Sequence, residues 1–376
     1  MKRILYRKIL KKLQRTFKKL LGKPLKGHQF ARLRSLAAFI TGMIRTKSSH
    51  LSAIGKGLLQ LITAHSKTKA AKKFVYNRHI DYETYYLPYL KELLKLVIPI
   101  INSSIGIFLV IDGSQTGKHH AALMLSLVIG KRSLPICWLV KQGGKGHFKT
   151  KNHLELMEQS YPLFETALFD QTSITLLGDG EFDSIDLQKF CRAKHWNYVF
   201  RTANNTLLYE DGDCFKPKQL ATSKLQDSLF ISNVEFTKQR FKGVNFLLWH
   251  DKKYEEPLPL VSNLDCALDI IHAYDKRYSV ECLFKDLKST SFYLDKTRLQ
   301  SAEAISNLIM IAAFAFTLIM KLGRLYQDSS IRKYIHRLRP DRIVNSIYTF
   351  ALELLDFLLE QGIDFCFDRK IDFEID

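Results

Sequence analysis

The sequence lacks paired cysteines, long apolar runs and, over its first 80 residues, any acidic side chain. Its six cysteines are scattered without a C-x-x-C pair, which argues against a zinc site or a disulfide framework and predicts reduced, mostly buried thiols. The longest apolar run, Leu308–Met320, is too short to span a bilayer comfortably, so we predict a buried helix there. The N-terminus has no secretory apolar stretch. These absences predict a soluble, cytoplasmic protein.

The missing acids make the charge distribution uneven. Lys and Arg number 57 against 37 Asp and Glu, which gives a net charge of +20. From Met1 to Ile80 there are 21 Lys or Arg and no acid, so this segment carries the whole excess. A block of one sign predicts a polyanionic partner, and the enzyme-like remainder favours nucleic acid. Membrane-surface binding by the basic amphipathic stretch Lys2–Leu21 is the alternative.

Residues 1 to about 95 read as helical throughout. The helices predicted at Leu33–Arg45 and Leu51–Thr63 flank the polar turn Thr46–His50, a layout compatible with a helix-turn-helix. Any two helices with a polar turn share this pattern. The charge therefore supports DNA binding more than the pattern does.

From Gly106 the hydrophobic period changes to that of strands. The apolar run Ile107–Ile111 ends at Asp112, and a second run, Ile174–Leu177, is followed by Asp179. The other elements predicted here are strands at Ala121–Ile129, Leu134–Val140 and Tyr198–Arg201 and helices at His153–Ala167 and Ser184–Ala193. This β-β-β-α-β-α-β order predicts an α/β fold with a mixed sheet.

The rest of the chain changes character twice. Residues Asn204 to about Glu256 contain short strands between turn residues, which predicts a β-rich insertion. A strand at Leu258–Ser262 follows, and helices are predicted at Ala302–Lys321 and from Ile343 to about Gln361.

Four polar residues recur at helical spacing after that strand: Tyr274, Arg277, Glu281 and Lys288. Steps of three, four and seven positions place them on one stripe of a helix, and the opposite side carries Val280, Leu283, Phe284 and Leu287. A solvated face with weak ion pairs is the ordinary explanation of mixed charge at this spacing.

Three carboxylates favour a functional explanation. Asp112 and Asp179 follow two separate strands, and Glu281 lies on a later helix. Carboxylates in that arrangement can hold two magnesium or manganese ions about 4 Å apart, as phosphodiester chemistry requires. A turn or cap is the ordinary role of one such aspartate, but their joint occurrence points to a metal site.

The same residues resemble the DDE transposases of bacterial insertion sequences, in the group with the Y-R-E-K signature (insertion sequence four type). Tyr274, Arg277, Glu281 and Lys288 match the pattern Y-x2-R-x3-E-x6-K. The segments Phe108–Gly113 and Leu177–Asp183 resemble the two aspartate strands of that family. The resemblance runs from about Leu36 to Leu355.

The resemblance implies a ribonuclease-H-like catalytic fold, interrupted by the β-rich insertion before the glutamate helix. It implies catalysis by Asp112, Asp179 and Glu281 with two Mg²⁺, for which Mn²⁺ can substitute. Such enzymes cut one strand at each element end; the freed 3′-hydroxyl then forms a hairpin, which is reopened and joined to target DNA. Tyr274, Arg277 and Lys288 would hold DNA phosphates. A dimer on double-stranded DNA in a bacterial cytoplasm, associated with the nucleoid, is expected.

Several residues compete for these roles. Asp183 is a rival of Asp179 but is better explained as the N-cap of the next helix, and Glu181 is a weaker rival. Trp196 is a candidate for stacking on an unpaired base, although a tryptophan beside a strand is more often core. His147 and His153 have no metal spacing and are expected at the surface or on DNA.

The predicted organisation has five parts: a basic helical DNA-binding domain at 1–95, catalytic domain at 96–203, β-rich insertion at 204–257, the rest of the catalytic domain at 258–325 and C-terminal helices at 326–376. The predicted function is a DNA transposase. The alternatives are a ribonuclease-H-like, structure-specific nuclease and an inactive, transposase-derived DNA-binding protein.

Overall fold

The computed structural model describes residues 10–11, 14–15, 27–58, 63–101, 106–144, 148–170, 172–220, 228–338, 346–363, 365 and 367. The chain divides into two compact units. The first is Met1–Leu94, Thr116–His120 and Lys285–Asp376, and the second is Lys95–Gln115 and Ala121–Phe284. The stretch predicted at Lys2–Leu21 lies almost wholly outside the described residues. The five predicted domain boundaries stay a prediction.

The helices are α1 (Gly27–Thr46), α2 (Leu51–Gly57), α3 (Ala64–Val75), α4 (Leu87–Ile101), α5 (Thr150–Phe164), α6 (Ile185–Ala193), α7 (Ala267–Asp275), α8 (Tyr278–Lys285), α9 (Ala302–Tyr326), α10 (Ser330–Leu338) and α11 (Ile347–Glu360). The strands are β1 (Ile107–Thr116), β2 (His120–Ile129), β3 (Arg132–Gln142), β4 (Ile174–Gly178), β5 (Asn197–Arg201), β6 (Leu208–Glu210), β7 (Asp213–Phe215), β8 (Ser228–Phe236), β9 (Phe241–Trp249) and β10 (Leu258–Ser262).

The ten strands of the described residues form one mixed sheet in the order β3-β2-β1-β4-β5-β10-β9-β8-β6-β7. Strands β1, β4 and β5 are parallel, and antiparallel pairing continues from β5 through β10, β9 and β8. The predicted mixed α/β fold is therefore confirmed. The region predicted as a β-rich insertion supplies strands β6 to β9, which extend the same sheet.

Two local predictions around the aspartates are wrong. Strand β1 does not end at Asp112 but continues to Thr116, and its polar residues Asp112, Ser114 and Thr116 are buried like its apolar ones. The N-cap of α6 is Ser184, whose hydroxyl accepts a hydrogen bond from the Leu187 N–H, and not Asp183. A serine side chain is short enough to reach the free N–H groups of the first turn.

The helix predicted to carry the polar quartet is interrupted. Helix α7 ends at Asp275, Lys276 and Arg277 form a turn, and α8 begins at Tyr278. A π-helical turn, Asp286–Thr290, follows α8 and contains Lys288. The four residues therefore do not share one straight helical stripe. The predicted apolar side is confirmed where Val280, Leu283 and Leu287 are buried.

In the first unit, α1, α2 and α3 cross closely at glycines. A Cβ on Gly55 would lie 3.0 Å from the Thr68 backbone nitrogen of α3, and one on Gly57 would lie 2.7 Å from the Gly42 carbonyl oxygen of α1. Helix α2 spans seven residues, so the helix predicted at Leu51–Thr63 is shorter than expected. Only a residue without a side chain permits these backbone approaches.

Helix α9 forms the centre of the first unit. It is long and apolar enough to cross a membrane, but 83% of its most apolar window is buried within the structure, so this is weak evidence for a span. Its polar groups find partners inside the unit: Thr317 hydrogen-bonds Tyr89 at 2.8 Å and Asn307 donates to the Val75 carbonyl at 2.9 Å. The prediction of a buried helix is confirmed.

The prediction that the cysteines are mostly buried is wrong for the described part of the chain. Cys137 and Cys191 are buried, whereas Cys214 and Cys266 are exposed and Cys282 is partly exposed. All five are free thiols, as predicted.

Candidate active site at the ends of three parallel strands

Strand register brings three polar residues to one end of the sheet. In the pairing of β1 with β4, Val110 lies opposite Leu177. Continuing that register by two residues sets Asp112 opposite Asp179. Neighbouring parallel strands lie about 4.8 Å apart, and residues at the same register share a face. Asp179 directly follows the last residue of β4, so the two predicted aspartates lie at the same end of these paired strands.

The same register reaches a residue that the sequence analysis missed. Strand β4 pairs with β5 so that Gly178 lies opposite Phe200, and the next step sets Asp179 opposite Arg201. Arg201 is the exposed last residue of β5. A basic residue at the end of the next parallel strand was the signal, but its position depends on pairing between distant segments.

Asp112 is buried inside the second unit. Its side chain is 3% exposed, and its Oδ1 accepts a 2.7 Å hydrogen bond from the Gly113 N–H. Its Oδ2 lies 3.6 Å from a guanidinium nitrogen of Arg277. A buried carboxylate needs such a cation, because an isolated charge in the interior is costly.

Asp179 and its two rivals point to different partners. Asp179 forms a turn in which its Oδ1 accepts from the Glu181 N–H at 2.9 Å. The Asp183 carboxylate accepts from the Thr202 hydroxyl at 2.6 Å, and burial raises its pKa although that hydrogen bond lowers it. The Asp183 carboxylate is thus engaged elsewhere, and the Asp179 side chain is held in a turn just after the strand.

Glu181 instead faces His153, which lies on α5. The His153 Nε2 is 3.7 Å from the Glu181 Oε1, and neither of these two atoms makes a hydrogen bond within the described residues. His153 is 1% exposed and packs against the Phe182 ring at a centroid distance of 4.7 Å. Its predicted surface location is therefore wrong, whereas His147 lies outside the described residues.

Arg277 connects Asp112 to Glu281. One guanidinium nitrogen contacts Asp112, and another lies 2.5 Å from the Glu281 Oε1 in a contact four residues along the chain. The Arg277 side chain is 17% exposed and that of Glu281 is 45% exposed. Burial alone would lower the pKa of Arg277, but Tyr274, Asp112 and Glu281 raise it above its ordinary value. The guanidinium is therefore a cation that lies between two carboxylates.

Tyr274 belongs to the core of the second unit. It is 4% exposed and packs in a cluster with Val110, Leu177 and Val280. Burial raises the pKa of its phenol to about 12, and the nearby Arg277 and Arg201 act in the opposite direction. The phenol is therefore neutral at ordinary pH.

Trp196 and Lys288 are the two remaining residues predicted for the site. Trp196 is 4% exposed and packs against Phe164 at 5.2 Å and Tyr161 at 6.0 Å between ring centroids, which favours the core alternative. Its base-stacking role stays a prediction. Lys288 belongs to the first unit and is partly exposed.

The donors suit a hard cation, although their present arrangement does not enclose one. Carboxylate oxygens are the ligands that Mg²⁺ and Mn²⁺ prefer. Within the described ranges, no three His, Cys, Asp or Glu side chains lie close enough together to hold a metal ion. Arg277 instead shows that a positive group is accommodated between Asp112 and Glu281.

Comparison with known families identifies the class of protein that carries this arrangement. The family model of the transposase DDE domain matches residues 108–318, which is more than half of the chain and contains Asp112, Asp179, Arg277 and Glu281. The chain belongs to this transposase family. Members generally use divalent metal ions, and a transposase acts on DNA.

Comparisons with individual proteins add little. No curated protein matches the chain. One matching solved structure is the Marinitoga piezophila Argonaute in complex with 5′ OH guide RNA and target DNA, at 11% identity and a TM-score of 0.23. The match covers 65% of this chain, and the chain spans about a third of that protein (33%). A likeness this low supports no conclusion about function.

Proposed function

We propose that the chain is a transposase of the Y-R-E-K group that cuts the ends of an insertion sequence and joins them to target DNA. The observation that carries this proposal is the register of Asp112 with Asp179 in a chain of the DDE family, together with Glu281 on the same guanidinium as Asp112. A ribonuclease-H-like catalytic fold, the predicted domain boundaries and hairpin ends are parts of the same proposal.

The proposed metal ligands are Asp112, Asp179 and Glu281. Two Mg²⁺, or Mn²⁺ in their place, would activate the attacking oxygen and stabilise the leaving one. The parallel pairing of β1 with β4 supports this set, because it aligns the strand segments that lead to the two aspartates. Glu281 is exposed, whereas Asp112 is buried and Asp179 is partly buried, so Glu281 has the most room to reorient.

The basic and phenolic groups are proposed to hold DNA. Arg277 and Lys288 would bind phosphates by charge and Tyr274 by a hydrogen bond. Arg201 adds a further candidate because it is exposed and in register with Asp179. Its guanidinium at the strand end would bind a phosphate oxygen of the strand being cut.

Helix α3 is the part of the N-terminal region that we propose contacts the DNA backbone. Lys69 and Lys72 are exposed, no acidic residue precedes residue 81, and Ala71, Phe74 and Val75 turn inward. The outward face is therefore basic without an apolar strip that could enter a bilayer. Its charge complements phosphate, which favours DNA over a membrane surface.

A dimer is the proposed active assembly, since two element ends must be cut together. A bacterial cytoplasm, in association with the nucleoid, is the proposed location. Sedimentation with and without DNA would test the dimer.

The function is tested with end-labelled DNA carrying the element's own ends, incubated with the full chain and Mg²⁺ and resolved on a denaturing gel. We expect nicked, hairpin and strand-joined products from the wild type and none from Glu281→Gln. Glu158→Gln, which changes an exposed glutamate on α5 in the same way, is the matched control and should cut normally.

The alternatives give different products. Cutting that ignores the terminal sequence and yields no joining would favour a structure-specific nuclease. Tight binding without any cutting by the wild type would favour an inactive DNA-binding protein.

A further inference from the structure

The Arg277 guanidinium lies between two proposed metal ligands, where it affects how a metal ion can bind. Its guanidinium contacts the buried Asp112 at 3.6 Å and Glu281 at 2.5 Å. A metal ion shared by these carboxylates competes for the same oxygens and is repelled by the same positive charge.

We propose that Arg277 is an internal counter-ion that must leave the carboxylates before metal binds, and that a DNA phosphate draws it away. This inference rests on the proposed function. A phosphate offers the guanidinium two oxygens in the same planar, bidentate geometry as a carboxylate. Arg277 would then exchange one anion for another while Asp112 and Glu281 accept the metal.

The position of Arg277 favours such an exchange. It lies in the two-residue turn between α7 and α8, so its side chain is not fixed by a continuous helix. Glu281, its closer partner, is 45% exposed, and this part of the contact is open to solvent. Movement of one side chain at this turn requires no rearrangement of the sheet.

Exchange of this kind couples the two ligands. If DNA removes the guanidinium, DNA strengthens metal binding, and metal must strengthen DNA binding by the same factor. Without DNA, the chain would therefore bind metal weakly. Uncontrolled hydrolysis would be limited by the chain's own arginine.

The first test measures Mn²⁺ binding to the full chain without DNA, by isothermal titration calorimetry. We expect Arg277→Gln to bind Mn²⁺ about tenfold more tightly than the wild type, because no counter-ion has to be displaced. Lys276→Gln removes the same charge one residue earlier and should change the affinity by less than about twofold. Equal affinity in Arg277→Gln and the wild type, or an equal gain in Lys276→Gln, would overturn the inference.

The second test uses the wild type and does not depend on a variant that folds. Ca²⁺, which takes the same oxygen ligands, is titrated into the protein with and without duplex DNA, and a gel confirms that the DNA stays intact. DNA should tighten Ca²⁺ binding in the wild type and have a smaller effect in Arg277→Gln. Identical coupling in both proteins would contradict the exchange and leave the transposase assignment standing, whereas a wild type that binds no divalent ion would remove both.

Discussion

Helix α3 and the aspartate end of the sheet carry charge in opposite ways. The lysines of α3 that face outward are exposed and lie in a segment without acidic residues. Asp112, in contrast, is buried and lies beside the guanidinium of Arg277. An exposed charge costs little folding free energy, because water solvates it, and it remains accessible to an external partner. A buried charge is stable only when a counter-ion is present. A ligand that binds a buried carboxylate must therefore displace that counter-ion.

The largest effect that sharpens this contrast is expected at Arg277. Arg277→Met leaves Asp112 buried without its cation and should lower the free energy of unfolding of the second unit by about 3 kcal/mol. Chemical denaturation followed by tryptophan fluorescence measures it. The double variant Arg277→Met with Asp112→Asn should recover most of the loss, and an additive double variant would show that the pair is not coupled.

On α3 the effects on stability should be small and those on binding large. Lys69→Gln with Lys72→Gln should change the free energy of unfolding by less than about 0.5 kcal/mol. The slope of log K for duplex DNA against log salt should fall by about 2. Fluorescence anisotropy over a salt series gives this slope.

A third lysine on the same helix provides the matched control. Lys67 donates to the Leu58 carbonyl at 2.8 Å, so it supports the end of α2 instead of facing outward. Lys67→Gln should cost about 1 kcal/mol of stability and leave the salt slope unchanged. If all three lysines lowered the slope equally, total charge and not the outward face of α3 would be responsible.

The smallest effect concerns Asp183, a partly buried carboxylate that accepts a hydrogen bond from the Thr202 hydroxyl. Burial raises its pKa above the ordinary value of 3.8, so the folded chain binds its proton more tightly than the unfolded chain does. Its contribution to stability is full below pH 3.8 and is lost as the pH rises through the raised pKa. Asp183→Asn should therefore gain stability relative to the wild type as the pH rises over that window, measured by thermal unfolding. A difference that is constant with pH would contradict this.

Local patterns predicted the strands well and the helix interruption poorly. Apolar runs at Ile174–Leu177 and Leu258–Ser262 are strands within a residue of the prediction, because buried parallel and central strands are apolar throughout. The break at Lys276 and Arg277 leaves no mark in the sequence, since neither residue disfavours a helix. The break is seen only in the structure, where Arg277 contacts Asp112, a residue far away in the sequence.

Non-local pairing accounts for the rest. The alignment of Asp112 with Asp179 and Arg201 depends on the register of three strands, which no short motif contains. In the sequence, His153 stands in a polar segment, which indicates a surface position. In the structure it lies on α5 and packs against the Phe182 ring. The assignment of the carboxylates from the DDE pattern stays a prediction, and the pattern gave no sign that its own arginine would contact both Asp112 and Glu281.

The most direct test of the central claim compares two aspartates four residues apart. Asp179→Asn and Asp183→Asn are made in the full chain, and strand cleavage of element-end DNA is measured with Mg²⁺. We predict that Asp179→Asn cuts at least about a hundredfold more slowly, because it removes a charge placed opposite Asp112. Asp183→Asn should cut at the wild-type rate. Normal cutting by Asp179→Asn, or loss of cutting by Asp183→Asn alone, would contradict the site proposed at the ends of β1 and β4.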